Sequence, residues 1–543
     1  MKRSKIALAS LVLAGAIALT GCSSNGNTPS PGTTGGSTTG SGGAAIITAN
    51  GSEPQNSLIP TNTNETGGGK ILDAIFAGLI YYDAEGNPVN DMAEEIVTDD
   101  PQHLTIKIKK GQKFSNGEEV TADNFIKAWN YGALLSNEQL SSYFFEDIEG
   151  FSWDADSELT GLKQVDDHTF TIALTKPASD FALRLGYSAF YPLPDVAFED
   201  MEAFGANPIG NGPYKLASNT AWEHDVKIAL LANTDYAGGR APKNGGLDII
   251  FYASQDAAYA DLLGGNLDVL DAVPDNALAT FKDDLGDRAV NQPAAIFQSF
   301  AIPERLAHFE GKEGNLRRQA ISMAINREEI TKVVFQSTRT PASDFTSPVI
   351  AGWSDSLAGS EVLDYNPEKA KALWAEADAI APWDGSFQIA YNADGGHQAW
   401  ADAVTNSIAD VLGIESNGAP YPTFATLRTE VTNRTIKTAF RTGWQADYPG
   451  LYNFLGPIYA TNAGSNDGDY SSAEFDKILA EGISATDPAE QNASFQKAQE
   501  VLLKDLPVVP LWYSNVTGGY AETVDNVKFG WNSVPIYHEI TKN

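Results

Sequence analysis

One cysteine, Cys22, occurs among 543 residues. No internal disulfide, thiolate metal cluster or Cys-x-x-Cys redox pair can therefore brace this chain. Beyond its first forty or so positions roughly 500 residues remain, well past the ~250–300 at which one core stops growing, so at least two lobes are expected. Lysine and arginine number 36 against 70 aspartate and glutamate, a net charge of −34. The acidic residues are scattered and no basic stripe exists to meet phosphates, which excludes nucleic acid as a partner. Solubility at a cell surface accounts for this charge, and a cationic partner would also suit it.

The N-terminus carries Lys2, Arg3 and Lys5, then an apolar run from Ile6 to Leu19, then Leu19-Thr20-Gly21-Cys22. A charged start, an apolar stretch too short to span a bilayer and a small residue before the cut describe a secretory signal peptide over 1–21. The placement of Cys22 resembles the lipobox of bacterial lipoproteins, which implies a diacylglyceryl thioether at a new N-terminus. Two or more acyl chains, at about 0.8 kcal/mol per buried CH₂, would hold a soluble domain at a membrane surface. Ser23–Gly43 is nearly all Ser, Gly, Thr, Asn and Pro, so 22–44 reads as a lipidated cysteine and flexible linker. The expected location is the outer face of the cytoplasmic membrane. The whole chain is 42% hydrophobic and 10% aromatic, with no second stretch able to cross a membrane, which is the composition of an ordinary globular exoprotein.

Enzyme motifs are absent or broken. Gly67-Gly68-Gly69-Lys70 hints at a phosphate loop, but Asn64 replaces the first glycine and Ile71 the Ser or Thr. His538-Glu539 lacks the second histidine of a zinc helix, no G-x-S-x-G elbow occurs, and six histidines are well spread. The loop around Asp467-Gly468, with Glu474 beyond, has part of a calcium loop but Ala463 and Ser465 at its first ligand positions. No catalytic residue, metal or cofactor is expected.

Periodicity gives mixed α/β material. His103–Lys109 and Thr169–Leu174 alternate with period two and predict strands. Leu316, Ala320, Ile321, Ala324 and Ile325 recur at helical spacing behind Asn315, an expected N-cap. Asn366-Pro367 opens another helix, with Ala370, Leu373, Trp374 and Ala377 as its buried stripe.

In order along the chain stand Ile71-Leu-Asp-Ala-Ile-Phe-Ala-Gly-Leu-Ile-Tyr-Tyr-Asp83, Ile106-Lys-Ile-Lys-Lys-Gly-Gln-Lys-Phe-Ser-Asn-Gly117, Val120-Thr-Ala-Asp-Asn-Phe125 and Asn207-Pro-Ile-Gly-Asn-Gly-Pro-Tyr214. Next come Gly264-Gly-Asn-Leu-Asp-Val269, Arg317-Arg-Gln-Ala-Ile-Ser-Met-Ala-Ile-Asn-Arg327, Tyr365-Asn-Pro-Glu-Lys-Ala-Lys371 and Leu503-Lys-Asp-Leu-Pro-Val-Val-Pro-Leu511. This series resembles the family 5 extracellular solute-binding proteins, the peptide and nickel receptors of ABC importers, over essentially the whole mature chain. The resemblance implies a two-lobed periplasmic-binding-protein-like α/β fold with mixed sheets, an additional subdomain and a ligand cleft between the lobes. Motif positions put lobe I at 45–78, 206–300 and 507–543, the accessory subdomain at 79–205 and lobe II at 301–506.

Arg441-Thr-Gly-Trp-Gln-Ala-Asp447-Tyr-Pro looks like the oligopeptide-receptor segment whose aspartate binds the ligand's α-ammonium and whose arginine can meet a peptide carboxylate. The resemblance assigns ligand contacts to Asp447, Arg441, Gly443, Trp444 and Gln445, opposite an edge near Thr61 to Glu65 that includes Asn64. It places Tyr421 and Tyr143 at aromatic pockets. The logic is general, since a buried ammonium needs a carboxylate and an extended peptide needs backbone partners. Other roles remain open: Asp447 also suits a turn cap, Arg441 a structural ion pair, and Trp444 the core. Pro449-Gly450-Leu451 departs from the family pattern, which leaves that loop's path open.

The expected function is that of a monomeric, lipid-anchored receptor, not an enzyme, that captures oligopeptides and delivers them to ABC permease subunits. A receptor for an oligosaccharide or nickel chelate is the alternative on the same fold, and a peptide-sensing receptor or a surface hydrolase stands further off.

Overall fold

The computed structural model describes residues 44–543 apart from 394–395 and 423. Cys22, the leader and most of the linker lie outside the described residues. No helix among the described residues is long and apolar enough to cross a membrane.

One mixed sheet of twelve strands organises the described residues. Ten of them form its path, labelled here in chain order: β1 (Ile46–Gly51), β2 (Tyr214–Leu216), β3 (Lys227–Ala232), β4 (Gly246–Phe251), β5 (Val269–Leu270), β6 (Ala289–Ala301), β7 (Phe387–Asn392), β8 (Ser416–Tyr421), β9 (Ala439–Gln445) and β10 (Val508–Tyr520). Their spatial order is β8-β7-β9-β6-β10-β5-β1-β4-β3-β2. The strands of 387–445 lie on one side of the β6/β10 pair and those of 46–270 on the other. Among the described residues these two thirteen-residue strands, antiparallel to each other, are the only strand pair joining the two sides.

Their register is interrupted. Pro293 faces Asn515 and Phe297 faces Tyr513, so four steps on β6 are matched by two on β10. Proline has no N–H to give the ladder, and the extra residues bulge out. The bulge is hydrogen-bonded elsewhere: the Ala295 N–H donates to Trp531 O at 2.7 Å, and the Ala295 carbonyl accepts from the Ala446 N–H at 3.0 Å.

A separate four-stranded antiparallel sheet, in the order Ala93–Asp100, His103–Ile108, Thr169–Ala173 and Leu162–Asp166, contains both strands predicted from alternation. Leu104, Ile106 and Ile108 point inward together with Phe170 and Ile172, as period two requires. Helix Ala122–Ala133 covers this face. Its Trp129 ring meets Phe170 and Phe190 edge-on at 5.6 and 5.1 Å and donates its Nε1–H to Phe190 O. Asn124 at the third helical position returns its Oδ1 to the Thr121 N–H at 2.8 Å, half of a capping box.

Helix α1 (Thr66–Ile75) contains the glycine run read as a broken phosphate loop. Glu65 caps it, both carboxylate oxygens accepting from the Gly68 N–H at 2.9 and 3.0 Å, so the N-terminus is already filled by an anion. Lys70 pairs with Asp271. At the other end, Gly212 N–H donates to Ile75 O, and Asn211 bonds both the N–H and the carbonyl of Ala77, at 3.0 and 2.9 Å. A Cβ on Gly210 would stand 1.8 Å from Ile75 O. The Asn207–Tyr214 motif is therefore a glycine collar pressed against the end of α1.

Helix α2 (Gly311–Met323) corrects one expectation. It begins four residues before Asn315, behind Glu310, and Asn315 sits inside it donating to Lys504 O at 2.8 Å. Ala320 and Ile321 are buried as expected, while Ala324 and Ile325, also buried, lie beyond its last turn. Gly314 lets the first turn begin early, because any side chain there would strike Phe309 O. Helix α3 (Pro367–Asp378) has the predicted cap, with Asn366 Oδ1 accepting from the Lys369 N–H at 3.1 Å. Ala370, Trp374 and Ala377 are buried and Leu373 is half-buried.

Gly210→Ala forces a Cβ onto the backbone of α1 and is expected to destabilise by about 2–3 kcal/mol, the scale of overpacking a filled site. A thermal melt beside the wild type reads it, and an unchanged midpoint would mean that the collar yields.

Candidate functional site

Strand β9 is paired on one side along its length, from Ala301↔Phe440 to Ile296↔Gln445 against β6. On its other side β7 pairs only with Ala439 and Phe440. Among the described residues no strand pairs with that second edge from Arg441 to Gln445, so it offers backbone groups to an added extended chain. Gly443 keeps this stretch flat against its neighbour, since a Cβ there would lie 2.9 Å from Phe297 O.

Beyond the open edge the chain reaches Asp447. The Ala446 N–H is held by the β6 bulge, and the Asp447 N–H donates to Asn453 Oδ1 at 2.9 Å. Asn453, buried on helix α4 (Leu451–Tyr459), returns its Nδ2–H to Asp447 Oδ2 at 2.9 Å. The Trp444 indole N–H donates to the same Asn453 oxygen at 2.9 Å. Trp444 thus packs half-buried behind the strand and braces the aspartate.

Tyr448 OH donates to Asp180 Oδ2 at 2.9 Å. Arg184 bonds Asp180 through Nη2 at 2.7 Å and Asp147 through Nη1 at 2.8 Å, all three being buried. This network fixes the loop whose path the sequence left open.

Asp447 opens on a cavity of about 240 Å³ whose walls include Asn64, Asp73, Tyr82, Tyr187, Gln445 and Trp531. Asn64, Gln445 and Asp447 are the three predicted ligand residues that the structure brings together there. Gln445 reaches across, its Nε2–H donating to Asn532 O at 3.1 Å. The expected edge near Thr61 to Glu65 faces the cavity from Thr63 onward, while Thr61 is buried in a short 3₁₀ turn. Tyr143 stands one ring removed: it packs on Phe144, which stacks on Tyr187, each at 4.5 Å. Arg441 and Tyr421 lie at the far end of the open edge. At ~3.3 Å per residue, about 13 Å of strand separates Arg441 from Gln445. Arg441 donates to Asn392 Oδ1 at 3.3 Å, and Tyr421 on the edge strand β8 donates to Glu430 at 2.9 Å.

Burial pushes the Asp447 carboxyl up to about 6, against the smaller opposing effect of hydrogen bonds from Asn453 and Tyr187. Among the described residues it forms no ion pair. Burial and the nearby Asp447 also raise the Tyr187 and Tyr143 phenols well above their usual range. His538, on the same cavity, is held down to about 4, first by burial and then by Arg240, and is neutral at pH 7. Asp467, read as part of a calcium loop, pairs instead with Arg428 and Arg434, and Asp469 with Arg434 and Arg305.

Sequence reasoning missed Asn453, Tyr187, Trp531 and Asp73. Asp73 and Tyr82 lie inside the Ile71–Asp83 motif and were visible as a segment, but nothing in the pattern says which side chains face a cavity.

The raised carboxyl fixes a sign. A folded-state value near 6 against 3.8 unfolded means that the ligand-free protein is favoured below about pH 4 and loses that stability as pH rises through 6. At 1.36 kcal/mol per unit the loss reaches about 3 kcal/mol. Asp447→Asn is therefore expected to melt higher than wild type at pH 8 and no higher at pH 4, in ligand-free protein.

The profile of the Bacterial extracellular solute-binding proteins, family 5 Middle, matches residues 87–466. The oligopeptide-binding protein OppA of Bacillus subtilis is 25% identical over 501 residues, covering 87% of this chain and 88% of that one. Heme-binding protein A of Haemophilus influenzae is 26% identical over 438 residues, 77% of each. The solved structure of the Escherichia coli murein tripeptide binding protein MppA superposes with a TM-score of 0.78 at 20% identity, covering 92% of this chain and 98% of that one. The fold is that of the two-lobed periplasmic binding proteins, and the chain belongs to the family 5 extracellular solute-binding proteins, which are receptors and not enzymes.

Proposed function

We propose that this protein captures oligopeptides in an extended form and delivers them to the permease of an ABC importer. One juxtaposition carries the reading: a strand edge open from Arg441 to Gln445 leads directly to a carboxylate, Asp447, that has no cation on it among the described residues. A buried carboxylate calls for a positive charge, which an α-ammonium brings, and the strand edge supplies the partners for the peptide's amides. Arg441 at the other end would meet a carboxylate of the ligand, with Asn64, Tyr143 and Tyr421 around the side chains. Binding draws the lobes together, and the difference in affinity between closed and open forms is what the transporter reads.

The same reading takes 45–78, 206–300 and 507–543 as lobe I, 79–205 as its accessory subdomain and 301–506 as lobe II. The division of the sheet about β6 and β10 supports it. It also takes the protein as a monomer tethered through lipidated Cys22 to the outer face of the cytoplasmic membrane, on the strength of the leader and linker composition.

The aromatic wall of Tyr82, Tyr187 and Trp531 favours a second reading, an oligosaccharide stacked on rings. Mass spectrometry of whatever co-purifies separates the two: peptides with free amino ends support the first, sugars the second.

Asp447→Ala is expected to weaken free-amine peptides by about 1.5–3 kcal/mol, the worth of a hydrogen bond to a charged group, or tenfold to a hundredfold in Kd. N-acetylated peptides should be indifferent to the change. In wild type the affinity for free-amine peptides should fall as pH drops below about 6, because protonation removes the counter-charge. Calorimetry at about pH 5 and about pH 7.5, either side of that value, checks both. A variant that binds free-amine peptides normally removes the assignment.

A further inference from the structure

A further carboxylate, Asp73, faces the same cavity. Asp73 lies on α1, and its Oδ1 accepts from Tyr191 OH at 2.7 Å. Among the described residues it, too, forms no ion pair. The neighbouring cations are committed elsewhere. Arg240 gives its Nε–H to Asp91, its Nη1–H to the Asp73 backbone carbonyl at 2.7 Å and its Nη2–H to Phe76 O at 2.9 Å. Lys70, one turn before Asp73, is held by Asp271.

The surroundings are aromatic and rigid. A Cβ on Gly78 would lie 2.8 Å from the Tyr191 ring, and one on Gly186 2.6 Å from the ring of Tyr82, so both rings are pressed against bare backbone. Tyr82 packs edge-on to Trp531 at 5.6 Å and donates its OH to Leu183 O at 2.7 Å. Asp73, Asp447, Tyr82 and Tyr187 line the one cavity, and both carboxylates act electrostatically on both rings. Burial holds the Asp73 carboxyl above its usual range, with the Tyr191 hydrogen bond and Arg240 opposing.

A desolvated carboxylate held by a single hydroxyl, with no ion pair among the described residues and its one neighbouring guanidinium bonded elsewhere, attracts a cation. A ligand's α-ammonium satisfies Asp447, which leaves Asp73. We propose that Asp73 receives the ammonium or guanidinium of a lysine or arginine side chain near the amino end of the bound peptide, making it the specificity-determining residue for basic peptides. This inference rests on the peptide reading above.

Tetrapeptides of alanine with lysine, or its uncharged near-isostere norleucine, at position one, two or three distinguish the cases by calorimetry. At one position lysine is expected to bind at least tenfold tighter than norleucine. In Asp73→Asn that gap should shrink below threefold while the norleucine peptide keeps its Kd. No lysine advantage in wild type at any position overturns the proposal without need of the variant, and leaves the peptide reading standing as long as the peptides bind. A gap that survives in Asp73→Asn, or an equal loss for both peptides, overturns it as well. Failure of every peptide to bind wild type overturns the peptide reading and this inference together.

Discussion

The antiparallel pairing of β6 with β10 is the constraint on which everything else hangs. Among the described residues it is the only strand pairing that connects the two halves of the main sheet, so each wall of the cleft is referred to the same two strands. Their hydrogen bonds are backbone groups and their side chains are buried around Phe297, Phe300, Leu511 and Trp512. The larger interruption of their register, after Pro293, occurs where the loop of Ala446 and the segment of Trp531 both need a hydrogen-bonding partner. A proline that cannot serve the ladder thereby leaves the Ala295 carbonyl for Ala446 and its N–H for Trp531.

From that bulge outward the site is a sequence of polar groups held in place by others. Asn453 satisfies the backbone and the carboxylate of Asp447 and the indole of Trp444 with one amide. The Tyr448–Asp180–Arg184–Asp147 network does the same for the next residue and ties it to the segment that carries the small sheet. Buried ionic groups are costly to bring out of water and are retained here with their partners in place. Against that background Asp447 and Asp73, cavity-facing carboxylates raised by burial and without an ion pair among the described residues, stand out as chemistry left for something else to complete.

Much of this was legible in the sequence where local physics decides. Alternation found His103–Ile108 and Thr169–Ala173, and Asn366-Pro367 gave a helix start to the residue, because caps and pleats depend on near neighbours. Asn315 misled because it has a capping side chain but lies inside a helix begun earlier, at Gly311, where contact with Phe309 excludes a larger residue than Gly314. Gly67–Lys70 looked like an anion loop because glycines and a lysine do not reveal that Glu65, just upstream, is the anion. The resemblance of its segment singled out Asp447, which the structure places on the cavity. Asp73 was not singled out, since facing a cavity depends on where α1 lies against Gly210–Pro213 and Tyr191, contacts with residues far along the chain.

The wiring of Ala295 has a mechanical consequence. One residue of the spanning strand is grasped from both sides, its N–H by Trp531 and its carbonyl by Ala446. It therefore couples the two segments: neither can shift along the strand without breaking a bond at the residue that also anchors the other.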